Sequence, residues 1–310
     1  MYENPAYRAI YLTGPTAVGK TAVGVALACR LGAEVVALDS MTLYRGMDIG
    51  TAKPGPDERG GVPHHLIDVL DPWESASVAA YRAWALAKVS EVEARGRRVL
   101  FVGGTALYLK ALLRGLCEGP AADPALRREL EEEADRLGAA ALHARLAGLD
   151  PTTARRLHPN DRRRVVRALE VIAASGRPLS LLQTEHDRPA PEGVKVVALE
   201  RSRHELRGRI DHRVVRMFAE GFEDEVRALQ AGPRPLGPVA AQGVGYREVL
   251  DRLAGRLTFE ETVARVQART RQFAKRQATW FRGLSEVRPW PLAVDEPPDV
   301  TADRLADHLA

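Results

Sequence analysis

The sequence predicts an α/β fold: a parallel sheet core interrupted by an inserted all-helical domain. Three observations predict it. Short apolar, β-branched runs alternate with helix-length segments over the first hundred residues. The string GPTAVGKT at 14–21 lies between the first such run and the first helical segment. From 123 to 175 only helical patterns occur, rich in Ala, Leu, Arg and Glu, and a strand-like run then returns.

Residues 8–13 (RAIYLT) read as a buried strand running into the glycine loop. Residues 21–31 have helical length, with Gly32 where a C-cap belongs. Further strands are expected at 34–39 (EVVALD), 65–69 (HLIDV) and 98–103 (RVLFVG), with an amphipathic helix at 78–95 before the last. Such alternation places ligands at the carboxyl ends of the strands. Residues 176–193, with Pro178, Pro189 and Pro191, read as a loop, and VKVVAL at 194–199 re-enters the sheet. The helical block is therefore an insertion, which divides the chain into a core of 1–120 and 190–310 and an insertion of 121–189. Helices are expected at 202–230 and 259–284, separated by the glycine-rich 237–245. The Pro- and Asp-rich stretch from Pro289 reads as peripheral.

Composition excludes some classes. Hydrophobic residues at 45% and charged residues at 28% describe a soluble protein, and no apolar run approaches a membrane span. The N-terminus lacks the features of a signal peptide. The two cysteines, Cys29 and Cys117, lack metal-ligand spacing, and so do the histidines, including His64-His65. A reducing, cytoplasmic location is expected. The net charge of +4 fits a polyanionic partner, although an arginine-rich composition can also reflect genome base composition, so clustering matters more.

GPTAVGKT matches G-x-x-x-x-G-K-[ST] in full, between strand and helix, and makes the core P-loop and nucleotide-kinase-like. The backbone N–H groups of Gly14, Pro15, Thr16, Ala17, Val18, Gly19, Lys20 and Thr21, proline excepted, can surround phosphate oxygens at a helix N-terminus. Lys20 adds a charge and the Thr21 hydroxyl can hold Mg²⁺. The same loop type serves nucleotide binding, ATP included. An N-K-x-D guanine motif is absent, and the strand at 98–102 ends in Gly103-Gly104-Thr105 where a motor NTPase would carry an acid. GTPase and motor readings fall, whereas a small-molecule kinase survives.

Asp39 follows the strand 35–38 at the sheet's active edge, where a carboxylate can act as a base or merely cap the next segment. Thr105, after two glycines, can orient a substrate or cap a helix. In NDRRRVVR at 160–167, Asn160 or Asp161 can cap a helix that turns Val166, Leu169 and Ile172 inward and Arg163 and Arg167 outward. Arg265, Arg269, Gln272 and Arg276 form a second stripe, while Val263, Val266, Phe273 and Trp280 pack elsewhere. Either stripe suits a phosphate backbone or a solvated face.

Seven strings together resemble the bacterial tRNA dimethylallyltransferase (tRNA isopentenyltransferase) family. They are GPTAVGKT at 14–21, DSMTLYRGMDIGTAKP at 39–54, VGGTALYLKALLRGL at 102–116, NDRRRVVRALEV at 160–171, GFEDEV at 221–226, GVGYRE at 243–248 and TRQFAKRQATWFR at 270–282. The family usually has DSA or DSR where this chain has Asp39-Ser40-Met41. The resemblance implies a P-loop core carrying a mobile helical insertion, and transfer of a dimethylallyl group from its diphosphate to N6 of adenosine 37 of tRNA. It implies that residues 14–21 clamp the leaving diphosphate, with Mg²⁺ at Thr21. Asp39 would be the base and Thr105 a second catalytic group. Contacts to the anticodon stem-loop would come from Asp39, Ser40, Met41, Thr42, Thr105, Arg127, Arg163, Arg164, Val165, Val166 and Arg167. The protein is expected to act as a monomer away from membranes. A P-loop small-molecule kinase is the competing enzyme, and an RNA-binding protein with a vestigial loop the competing non-enzyme.

Overall fold

Ile10–Thr13 form β1, whose side chains alternate between two cores, Tyr11 toward one and Ile10 and Leu12 toward the other. A strand buried on both faces belongs inside a parallel sheet. In this computed structural model, which describes residues 4–116, 119–120, 123–183 and 188–309, β1 is central in a six-stranded, all-parallel sheet. Cys117 and residues 184–187 of the expected loop lie outside the described residues. The other strands are β2 (Ala33–Ala37), β3 (His64–His65), β4 (Arg98–Val102), β5 (Lys195–Glu200) and β6 (Val287–Pro291), in the order β3-β2-β4-β1-β5-β6. β1 therefore lies between β4 and β5, so its end meets the ends of strands encoded far apart.

The P-loop leads from β1 into α1 (Lys20–Leu31), which ends at Gly32 in the left-handed conformation. α2 (Val78–Ala94) and α3 (Ala106–Arg114) cover the Tyr11 face. The insertion, residues 114–189, is a separate unit built of α4 (Pro124–Leu137), α5 (Ala139–Leu149), α6 (Pro151–Arg156), α7 (Arg162–Ser175) and the short α8 (Leu179–Leu182). Asp123, Asp150 and Asp161 cap α4, α6 and α7 by accepting N–H bonds from their first turns. The insertion has its own core of Leu130, Leu142, Leu146, Val165, Val166 and Leu169. The remaining core helices are α9 (Arg203–Ala219), α10 (Phe222–Gln230), α11 (Tyr246–Leu253), α12 (Phe259–Arg282) and α13 (Pro298–Leu309).

Several expectations need correction. The strand expected at 65–69 shrinks to His64–His65, because Leu66 and Asp68 have φ of 58° and 56°, which no strand tolerates. The helix expected at 202–230 breaks at Gly221 (φ 98°) into α9 and α10. The loop at 176–193 contains α8, and α11 follows the glycine-rich segment directly. The stretch from Pro289 is not peripheral. β6 pairs with β5 despite Pro289 and Pro291, as an edge strand can. α13 packs Ala302, Leu305 and Leu309 into the core beneath α1. Trp280, expected to pack, is exposed.

Candidate functional site

Gly14 opens the P-loop at φ 135°, and a Cβ there would stand 2.6 Å from the Leu199 carbonyl oxygen of β5. The loop is thus pressed against its neighbouring strand, which only glycine allows. Val18 is wholly buried beneath the loop and Pro15 is covered, so the side chains of these two shape the loop. Lys20 Nζ donates to the Pro15 carbonyl at 2.7 Å, across the mouth of the loop.

Beyond the loop is a cavity with Thr16, Lys20, Thr21 and Arg213 on its polar side. Asp39 and Thr42 join them, and Val25, Val35, Ala52, Pro54 and Ile67 supply apolar wall. His64, to which the sequence assigns nothing, also lines it. Burial, assisted by the Arg213 guanidinium, pulls Lys20 down to about 7 against the pull of the Asp39 carboxylate. Burial likewise raises the Asp39 carboxyl above the ordinary carboxylate range, opposed by the Met41 N–H and the Lys20 charge. Burial makes each charge expensive, and an anion beside Lys20 would relieve the first. A carboxylate so raised is a stronger base than one in water.

Asp39 Oδ1 accepts the Met41 N–H at 2.9 Å, so Asp39 braces the turn that follows β2 while its carboxylate lines the cavity. The two sequence-level alternatives for Asp39 are compatible. The Thr105 hydroxyl accepts the Ser40 N–H at 3.1 Å and its own N–H donates to Leu38 O, which ties the Asp39 turn to the end of β4. Thr105 is not among the residues lining the cavity. Its hydroxyl holds Ser40, and its own carbonyl accepts the Tyr108 and Leu109 N–H groups at the start of α3.

Four further residues come from beyond the insertion. Arg213 on α9 reaches the Thr16 hydroxyl at 3.5 Å, and Arg209 and Arg201 donate to the carbonyls of Ala17 and Val18 at 2.8 and 2.9 Å. Burial, with Arg216 and Arg209 nearby, lowers the Arg213 pKa from its ordinary value. Gln277 on α12, almost fully buried, accepts the Thr16 N–H and donates to the Gly104 carbonyl, both at 2.8 Å. A Cβ on Gly104 would come within 2.3 Å of that amide, which accounts for the glycine. Sequence reasoning missed these residues. The spacing of Arg209, Arg213 and Arg216 in steps of four and three was the available signal for α9. Nothing local marks Gln277.

The insertion's expected RNA-facing residues divide. Val165 and Val166 are buried in its core, so they fix α7 and present no surface to an RNA. Arg127 and Arg167 both pair with the buried Glu170, at 2.8 and 2.9 Å. Arg163 and Arg164 are exposed, Arg164 with Asp161 as its neighbour at 2.8 Å. On α12, Arg269 pairs with Glu248, which leaves the expected stripe partly neutralised, and Arg271, outside that stripe, pairs with Asp211.

Among the described residues, no group of three His, Cys, Asp or Glu side chains is placed to hold a metal. Mg²⁺ needs no such group, since it binds one or two protein oxygens together with phosphates and water. The Thr21 hydroxyl and Asp39 carboxylate, lining one cavity, fit that requirement. No helix of the described residues is long and apolar enough to cross a membrane.

A family model described as IPP transferase matches residues 42–284. A tRNA dimethylallyltransferase of Geobacter sulfurreducens is 51% identical over 277 residues, 88% of each chain. One from Anaeromyxobacter dehalogenans is 49% identical over 286 residues, 91% of this chain and 93% of its own. The crystal structure of the tRNA isopentenylpyrophosphate transferase of Bacillus halodurans superposes with a TM-score of 0.70 at 40% identity, covering 98% of this chain and 97% of that one. A eukaryotic dimethylallyltransferase, described in crystallographic snapshots as acting on tRNA, superposes with a TM-score of 0.80 at 27% identity, covering 96% of this chain and 77% of that one.

Proposed function

Because the chain belongs to the IPP transferase family, we propose that it transfers a dimethylallyl group from dimethylallyl diphosphate to N6 of adenosine 37 in tRNA. One observation carries this reading: a single cavity sets Lys20, Thr21 and Arg213 together with Asp39, between apolar walls. That is a clamp for a leaving diphosphate, a base, and room for a short hydrocarbon.

In the reaction the bond from the allylic C1 to the diphosphate oxygen breaks, and the electron pair leaves with the diphosphate. The bond from N6 to C1 forms, and the N6 proton passes to Asp39. Lys20, the Arg213 guanidinium and the loop's N–H groups stabilise the charge that develops on the departing oxygen, each such donor being worth roughly 3 kcal/mol. Mg²⁺, held by Thr21 and the diphosphate, would supply further neutralisation there. The Asp39 proton acceptor is braced by Met41 N–H, and Ser40 by Thr105, so the base is fixed before substrate arrives. The target adenine lies in the stacked anticodon loop and must swing out to reach Asp39.

Arg163 and Arg164 are exposed cations on α7 of the insertion, suited to the phosphates of the anticodon stem-loop. We place the protein in the cytoplasm, a reading that rests on its two cysteines without metal or disulfide spacing. We take the protein to act as a monomer. The test combines protein, Mg²⁺, unmodified tRNA and dimethylallyl diphosphate, then digests the RNA and weighs the nucleosides. Adenosine bearing one dimethylallyl group, with one diphosphate released per transfer, is expected. An unmodified RNA alongside ATP-dependent phosphorylation of a metabolite would overturn the reading.

A further inference from the structure

Glu225, on α10, is outside the cavity and no step above uses it. Its carboxylate nevertheless accepts three consecutive backbone N–H groups, from Asp48 at 2.8 Å, Ile49 at 2.6 Å and Gly50 at 3.2 Å. The Tyr246 hydroxyl donates to the same carboxylate at 2.6 Å. The turn is pressed close to its support, since a Cβ on Gly50 would overlap the rings of Phe222 and Tyr246. Three N–H groups converging on one anion form a cradle, and here the anion is built into the chain.

The turn leads directly into Thr51, Ala52 and Pro54, all of which line the cavity. Ala52 is held at φ 52°, a strained conformation for alanine that persists only while its surroundings impose it. The far end of the turn is fixed by Lys53, whose Nζ pairs with Asp48 and Asp68 and donates to the Tyr44 carbonyl at 2.7 Å.

We propose that Glu225 is a positioning residue that sets the apolar wall formed by Ala52 and Pro54, against which the hydrocarbon chain of the allylic diphosphate packs. The proposal rests on the reading of the cavity given above. It also gives two separated strings, GFEDEV and GVGYRE, one shared role in this chain, since Glu225 and Tyr246 close together on the turn of the DSMTLYRGMDIGTAKP segment.

The test measures binding of two probes to the full chain with Mg²⁺, dimethylallyl diphosphate and inorganic diphosphate, and exchange of the amides of residues 48–50. Glu225→Ala should weaken dimethylallyl diphosphate about tenfold and inorganic diphosphate less than twofold, with exchange of those amides accelerated at least tenfold. Glu225→Gln, which keeps an acceptor oxygen, should recover most of the allylic affinity. Affinity for unmodified tRNA should stay within twofold in both variants. Equal weakening of both probes, or accelerated exchange with unchanged binding, would overturn the positioning role. A wild-type protein that binds both probes but modifies no tRNA would sink the transferase reading, while the comparison of probes still decides the role of Glu225.

Discussion

Arg213 of the α/β core and Arg164 of the helical insertion carry the same guanidinium in opposite settings. Arg213 is largely buried, reaches the Thr16 hydroxyl and shares a cavity with Lys20. Its neighbours Arg201 and Arg209 are bonded to P-loop carbonyls. Arg164 is 70% exposed and pairs with Asp161, the residue that caps its helix three positions back. A buried cation fixed by backbone acts on one ligand oxygen at one position. An exposed cation acts through charge, is screened by salt, and tolerates displacement. On the function proposed, the core is organised for chemistry and the surface of the insertion for holding a polyanion.

Substitution should separate the two modes, and the largest effect should fall in the core. Asp39→Asn should lower transfer at saturating substrates by about 10²–10⁴-fold, the usual contribution of a positioned base, and leave tRNA affinity unchanged. Single-turnover rates and filter binding on the same preparation check both halves. For the insertion, the double variant Arg163→Ala, Arg164→Ala should weaken tRNA binding by on the order of tenfold. It should also reduce the slope of log affinity against log salt by about 0.9 for each phosphate no longer neutralised, with the rate at saturating tRNA unchanged. A salt titration of binding gives both values. A variant that lost rate instead would place those arginines in the chemistry and collapse the distinction.

The smallest effect concerns protons. With Lys20 held at about 7 by burial, the ammonium is mostly lost above that pH in the free protein. A bound diphosphate restores the charge, so binding takes up a proton and weakens as pH rises. Affinity for dimethylallyl diphosphate should fall about fivefold from pH 7 to pH 8, as expected for one group titrating near 7. Calorimetry at pH 8 in two buffers of different ionisation heat should register close to one proton taken up, and Lys20→Arg should abolish it. No comparable uptake is expected from tRNA binding to arginines, which stay charged throughout this range.

The same contrast explains what could be read from the sequence. The P-loop, Asp39 and the insertion were legible because each is a contiguous pattern: a loop motif, an acid at a strand end, a run of helical periodicity. Arg213, Gln277 and Glu225 were not, because their roles consist of single bonds to backbone supplied by distant elements. Gln277 is 261 positions from the Thr16 N–H that it engages. β6 escaped because its prolines look like a loop until the sheet provides an edge that can hold them. Val165 and Val166, attributed to RNA contact by resemblance, prove to be core because α7 packs both valines inward. The neighbouring arginines remain outside.

The position of β1 between β4 and β5 also has a consequence for synthesis. A ribosome delivers the P-loop, Asp39 and Thr105 first, then the whole insertion, and only afterwards β5, Arg213 and Gln277. The insertion, with its own core, has everything it needs to fold while the catalytic half waits with an open flank on β1. Until β5 docks, Gly14 lacks the strand it leans on and Thr16 lacks Gln277 and Arg213. A nascent chain therefore has no finished phosphate site, and its capacity to capture a reactive diphosphate arises only late in translation.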